Sequence, residues 1–123
     1  MKSLIARLSI LALAAWMIAL GAPQSRAQDL AGAKDDYRTL CVKCHGASGK
    51  GDGPAASTLA TKPGDLTDCA RMARVSDDVV FKVIKEGGPA ANLSEQMAGF
   101  GEGLDDSEIK GLVGYVRSFC QQK

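Results

Sequence analysis

An all-α fold is what this chain predicts, and three observations predict it. Three segments repeat apolar residues at three- and four-residue steps, which puts them on one helical face. Capping residues and glycines bracket those segments. No run of useful length alternates apolar and polar residues, so no strand is expected. Internal repeats and low-complexity runs are missing as well.

The first helix is predicted from about Leu30 to Cys44, with Asp29 as its N-cap. Ala33, Tyr37, Leu40, Cys41 and Cys44 share its inner face. The second runs from about Asp77 to Glu86. Ser76 caps it, Asp77 and Asp78 favour its positive end, and Gly87-Gly88 stops it. Val79, Val80, Val83 and Ile84 form its apolar stripe. The third runs from about Asp106 to Cys120. Asp105 and Glu108 have capping-box spacing, and Leu104 and Ile109 have staple spacing. Leu112, Val113, Val116 and Phe119 carry its buried face, with Tyr115 at the border. Two glycine-rich loops, 46–63 and 87–103, separate the helices. Loops of that length in a small domain are usually functional or disordered.

Residues 1–27 read as a secretory leader. Lys2 and Arg7 charge its start, Leu8 to Leu20 is apolar, and Pro23 breaks the helix. Ser25-Arg26-Ala27 puts small residues at the positions cleavage requires, so the cut is expected after Ala27. The apolar run is shorter than the roughly 18 residues or more of a membrane span. The expected mature domain is 28–123, exported to the periplasm and free of a membrane anchor. The whole chain has 15 Lys+Arg and 14 Asp+Glu. The leader holds Lys2, Arg7 and Arg26 and no acid, so 12 bases face 14 acids in the mature part, a net of −2. That balance argues against nucleic-acid binding, which needs a basic excess.

Cys41-Val42-Lys43-Cys44-His45 is the motif that carries chemistry. Two thiols about one helical turn apart can add across two vinyl groups of haem, and the adjacent His45 can ligate the iron. This spacing is that of c-type haem attachment. A thioredoxin-like pair is the first rival, but that pair normally accompanies alternating strands and helices. A zinc site is the second rival. It needs four Cys or His ligands, His45 is the only histidine, and Cys69 and Cys120 lack zinc-like spacing. One covalent haem c would also give a small domain the apolar mass its few aromatic residues do not.

With one histidine, the far side of the iron falls to a thioether. The mature part offers Met72 and Met97. Met97 lies on the second glycine-rich loop and is the expected ligand, because Met/His ligation is the usual electron-transfer arrangement. Met72 lies near the second helix and reads as packing or surface. A ligating histidine usually donates its other ring N–H to a carbonyl. Pro54 stands as that acceptor or as a turn stiffener, and the residues alone leave both open.

Several motifs together resemble the small bacterial class I c-type cytochromes over nearly the whole mature length. They are Cys41 to Gly46, Gly51-Asp52-Gly53-Pro54-Ala55, Lys62 to Thr67, Met97-Ala98-Gly99-Phe100, and Leu104 to Ile109 leading into Leu112 to Val116. The resemblance implies the cytochrome c fold, with three to five helices around one haem. It implies thioethers at Cys41 and Cys44, His45 and Met97 as iron ligands, and a Pro54 carbonyl bonded to His45. It also implies that the first and last helices cross at right angles, Ala33 and Tyr37 meeting Leu112 and Tyr115. The chain departs from the family in having Ala33 where glycine is common at that crossing, with Gly32 beside it. It also lacks a mature tryptophan to contact a haem propionate, and Arg71, Arg74 and Lys62 stand open as replacements.

Cys69 and Cys120 form an even pair outside the motif. In an oxidising compartment that suggests a disulfide, against the alternative of two free thiols. The expected function is an exported monohaem carrier, not an enzyme. It would be monomeric, moving single electrons between donor and acceptor proteins such as a periplasmic dehydrogenase and an oxidase. The alternative is a dedicated cytochrome subunit bound to one dehydrogenase or oxidase complex. An open-iron haem sensor is a further rival and requires that Met97 leave the iron.

Overall fold

The computed structural model describes residues 25–121. Most of the expected leader therefore lies outside the described residues. Helix α1 spans Ser25–Asp36 and passes through a π-helical turn, Tyr37–Cys41, into α2, Val42–His45. A short α3, Cys69–Met72, precedes α4, Asp77–Glu86, and α5, Asp106–Ser118. Short 3-10 turns lie at Ala56–Thr58 and Gly88–Ala91. Among the described residues there is no strand, and no helix is long and apolar enough to cross a membrane.

The first helix begins earlier than expected, so Asp29 is an interior residue rather than an N-cap. Arg26, Ala27 and Gln28 are good helix formers and carry the helix back past it. The π turn was also not expected. It inserts one residue into the helical count where the helix enters the Cys-x-x-Cys-His run, with Cys41 its last residue, a place where such turns often serve a site.

The other two long helices start where their chemistry requires. Ser76 Oγ accepts from Val79 N–H at 3.3 Å, and α4 covers the expected residues. Asp105 accepts from Ser107 and Glu108 N–H, while Glu108 accepts from Asp105 N–H at 2.8 Å, a complete capping box. Helix α5 ends at Ser118 rather than Cys120, the chain passing into a turn.

The core sits where α1 meets α5. Tyr37, Ile109 and Leu112 are its most buried side chains. Ala33 is buried at the contact, and the room for it comes from the opposite helix. A Cβ on Gly111 would stand 3.3 Å from the Asp29 carbonyl oxygen and 3.4 Å from Ala33 Cβ. Gly32 has open space instead, so Gly111 is the small residue that lets the helices close. Tyr37, Tyr115 and Phe119 extend the contact as an aromatic triad with centroids 5.2 to 5.4 Å apart.

A second junction ties α3 and the start of α4 to α5. Arg117 donates from Nη1 to the Met72 carbonyl at 2.6 Å, from Nη2 to the Val75 carbonyl, and from Nε to Asp77 at 2.7 Å. Cys69 and Cys120 lie beside it at disulfide distance, Cα to Cα 5.4 Å. Truncating Arg117 strips two part-buried carbonyls of their charged donor. Arg117→Ala should therefore cost about 2 kcal/mol, seen as a fall in Tm of roughly 10 °C by circular dichroism. Asp77→Asn removes only the exposed end of the clamp and should cost less than about 1 kcal/mol.

Candidate haem-binding site

Three backbone hydrogen bonds lace the first glycine-rich loop onto the Cys-x-x-Cys-His run. Gly51 N–H donates to the His45 carbonyl at 2.8 Å, Gly53 to Cys44 at 3.1 Å and Ala55 to Lys43 at 2.9 Å. The approach is so close that a Cβ on Gly53 would overlap the carbonyls of Val42 and Lys43. Tyr37 secures the turn between them, its hydroxyl donating to the Gly46 carbonyl at 2.9 Å. The loop also holds the next segment, with Leu66 N–H donating to the Gly49 carbonyl at 2.7 Å.

The second glycine-rich loop folds back on the end of α4. Phe100 N–H donates to the Ile84 carbonyl and Gly101 N–H to the Lys85 carbonyl, both at 2.9 Å. Met97 is held through both backbone groups: its carbonyl accepts from Gly88 N–H at 2.9 Å and its N–H donates to Ser94 at 3.1 Å. Gly87, with φ 93°, makes the left-handed turn that starts this return. The two loops join where Gln96 Oε1 accepts from Ala60 N–H at 2.9 Å.

Between the loops and helices lies a largely apolar cavity of about 430 Å³. Cys41, Cys44, His45 and Met97 all line it. Leu66, Val80 and Ile84 add to its apolar wall. Met72 lines it as well, while being buried in the core cluster, so packing and exposure to the cavity coexist at that residue. Pro54 does not line it.

The site electrostatics favour neutral groups. Burial lowers the His45 pKa, and the Gly64 backbone beside the ring opposes this in part. The imidazole is thus held in the neutral form that ligates metals. Burial raises the Cys41 thiol to about 11, with Asp36 and Cys44 adding to the effect. A thiol so poorly ionised is a weak nucleophile, which disfavours the thioredoxin-like reading. Among the described residues no three His, Cys, Asp or Glu side chains gather to hold a metal ion, which leaves the zinc reading without ligands.

One expected contact is not made. His45 Nδ1 is buried without a hydrogen-bond partner, so the Pro54 carbonyl does not reach it here. Pro54 is nonetheless held next to the motif, because Gly53 and Ala55 on either side bond Cys44 and Lys43. An orphaned buried nitrogen on the sole histidine, two unpaired thiols on the same wall and an apolar cavity together fit a haem joined through Cys41 and Cys44.

The family described as cytochrome c oxidase, cbb3-type, subunit III matches residues 28–116. The chain belongs to the small class I c-type cytochromes. This cytochrome is similar in structure to the KustC0563 c-type cytochrome, with a TM-score of 0.59 and 30% identity over 71% of this chain and 95% of that one. It also matches a chain of the Kuenenia stuttgartiensis reducing HAO-like protein complex Kustc0457/Kustc0458. That match has a TM-score of 0.62 and 29% identity, covering 83% of this chain and 49% of the other. No curated protein matches the chain. The family implies covalent haem c with its iron, and electron transfer as the class of function.

Tyr37 gives the site a testable alkaline limit. Burial, and then the nearby Cys41, Tyr115 and Asp52, raise its pKa well above the ordinary 10.0. The fold therefore favours the neutral phenol. Its contribution is complete below pH 10 and is lost as the pH rises beyond it. Tyr37→Phe should cost about 1 kcal/mol at pH 7 by removing the hydroxyl's bond to the Gly46 carbonyl, which keeps only the Gly49 N–H at 3.2 Å. It should also flatten the decline in stability above pH 10, in Tm measured from pH 7 to 11.

Proposed function

We propose that this cytochrome is an exported carrier that passes single electrons between redox proteins, with one haem c held by His45 and Met97. The observation that carries the reading is the convergence of Cys41, Cys44, His45 and Met97 on one apolar cavity. When bound, the haem supplies one-electron chemistry at its iron. The chain's own residues do the rest. Cys41 and Cys44 anchor the group, and the neutral imidazole of His45 offers a lone pair. Met97 offers a soft thioether from a loop pinned at both of its backbone groups. Leu66, Val80 and Ile84 keep water from the cavity. In the haem-loaded protein the Pro54 carbonyl would be the hydrogen-bond acceptor for His45 Nδ1–H.

Export to the periplasm follows from the leader-like residues 1–27, and no catalytic residue is assigned. Partners are then a donor and an acceptor, such as a periplasmic dehydrogenase and an oxidase, met by a monomer in small transient contacts. In that compartment Cys69 and Cys120 close a disulfide. A second reading, a dedicated subunit of one redox complex, is favoured by the similarity to half of a chain from the reducing HAO-like complex. Recovery of the cytochrome in a stable complex at high salt would select that reading over the free carrier.

Met97→Ala should abolish the near-infrared sulfur–iron band and let the ferrous protein bind carbon monoxide. Met72→Ala should keep the band while losing about 2 to 5 kcal/mol of stability as a core truncation. A Met97→Ala protein with an unchanged band and potential would refute the axial assignment. For the cysteine pair, alkylation of the unreduced protein should label neither Cys69 nor Cys120, and labelling after reduction should reach both by intact mass.

A further inference from the structure

The cavity is walled by two halves that backbone hydrogen bonding leaves separate. The first glycine-rich loop belongs to the half that carries His45. Beyond the bonds that lace it onto the attachment motif, Ala56 N–H donates to Gly53 at 2.9 Å and Thr58 N–H to Ala55 at 3.1 Å. These turns lead to Leu59, which lines the cavity. The second loop belongs to the half that carries Met97. Its bonds close on itself and on the end of α4: Leu93 N–H donates to Gly88 at 2.9 Å, Met97 N–H to Ser94, and Phe100 and Gly101 to Ile84 and Lys85. Among the described residues no backbone hydrogen bond and no ion pair joins 46–63 to 87–103.

The side chain of Gln96 makes the connection that the backbone does not. Its Oε1 accepts from Ala60 N–H at 2.9 Å and from Thr61 N–H at 3.4 Å. An amide oxygen has two lone pairs and can serve both donors. Gln96 immediately precedes Met97, and with Thr61 it lines the cavity. Its own N–H donates to Ser94 Oγ at 3.2 Å, while Met97 N–H donates to the Ser94 carbonyl at 3.1 Å. The two residues therefore share one turn, and a bond made by Gln96 acts on Met97 with little slack between them. Gln96 is exposed, so its bond adds little to global stability. Opening of a loop is a local event with a free energy of its own, and there a single bond counts.

We propose that Gln96 is a positioning residue for Met97, latching the second loop to the first and so limiting how often the thioether leaves the iron. The inference rests on the reading of Met97 as an axial ligand and adds the group that keeps it in place. Two axial ligands must meet one iron, yet His45 and Met97 are fixed to different halves of the wall. Packing of α1 and α4 on α5 sets the halves side by side. The latch then ties their free edges together. Releasing it leaves the Ala60 and Thr61 amides to water and frees the turn at Gln96 to move off the cavity, carrying Met97 with it.

The test combines amide hydrogen exchange at Ala60 with the rate of carbon monoxide binding, on the haem-loaded ferrous protein and on Gln96→Leu, Gln96→Glu and Glu95→Ala. Carbon monoxide binds while Met97 is off the iron, so its rate reports how often the thioether leaves. Gln96→Leu keeps the bulk of the side chain and removes the acceptor. It should raise both the Ala60 exchange rate and the carbon monoxide rate about fivefold, the equilibrium weight of one hydrogen bond. The near-infrared sulfur–iron band should persist, because Met97 still returns. Gln96→Glu keeps an acceptor at the same reach and should stay close to the wild type. Glu95 is exposed and its side chain makes no hydrogen bond among the described residues, so Glu95→Ala should change neither rate. A Gln96→Leu protein that loses Ala60 protection yet binds carbon monoxide at the wild-type rate would overturn the positioning role while leaving Met97 as ligand. Unchanged Ala60 exchange in that variant would refute the latch itself. Equal acceleration in Glu95→Ala or in Gln96→Glu would do the same, as general loosening of the loop. A wild-type protein without the sulfur–iron band would sink the axial reading and the latch together.

Discussion

The contact between α1 and α5 at Ala33 and Gly111 is the constraint on which the remaining structure depends. Two helices can approach so closely only where one side chain is a methyl group and the other is missing. From that point the geometry propagates outward. Tyr37 is one helical turn beyond Ala33 and packs on Tyr115 and Phe119, while its hydroxyl holds the Gly46 carbonyl. The Cys-x-x-Cys-His run, which starts at the last residue of the π turn, is thus fixed in place by a packing contact well outside the cavity it lines.

The cavity itself is built by backbone more than by side chains. One loop is tied to the attachment motif by three amide–carbonyl bonds, and the other to the end of α4 by bonds from Phe100 and Gly101. Glycines recur at these junctions because a Cβ at Gly53, Gly88 or Gly99 would collide with the facing chain. Long loops that look slack in sequence are in this way drawn tight around a cofactor-sized space.

Local chemistry was legible and distant chemistry was not. The capping box of Asp105 and Glu108, the Ser76 cap and the limits of α4 all depend on residues within four positions of each other, and each stands as expected. The start of α1 was misread because Asp29 resembles a cap while the residues before it are helix formers. The π turn leaves no pattern in a short apolar stripe. Arg117 and Gly111 look like ordinary residues of an amphipathic helix, and their roles appear only when acceptors and neighbours far along the chain come near them. At the site, the four residues the sequence singles out, Cys41, Cys44, His45 and Met97, line one cavity, whereas the bond from His45 to Pro54 is not formed. Of Arg71, Arg74 and Lys62, equal choices in the sequence, Arg71 and Lys62 line the cavity and Arg74 does not.

The clamp made by Arg117 has a consequence for the order in which the pocket can be completed. The segment that backs the cavity around Met72 has its carbonyls claimed by a side chain 45 residues later. The neighbouring cysteine faces a partner 51 residues away. During synthesis, the attachment motif is therefore present long before its enclosing wall can be locked. Until the last helix arrives, the thiols and the imidazole stand on an open half-site, accessible from the side that the finished protein closes.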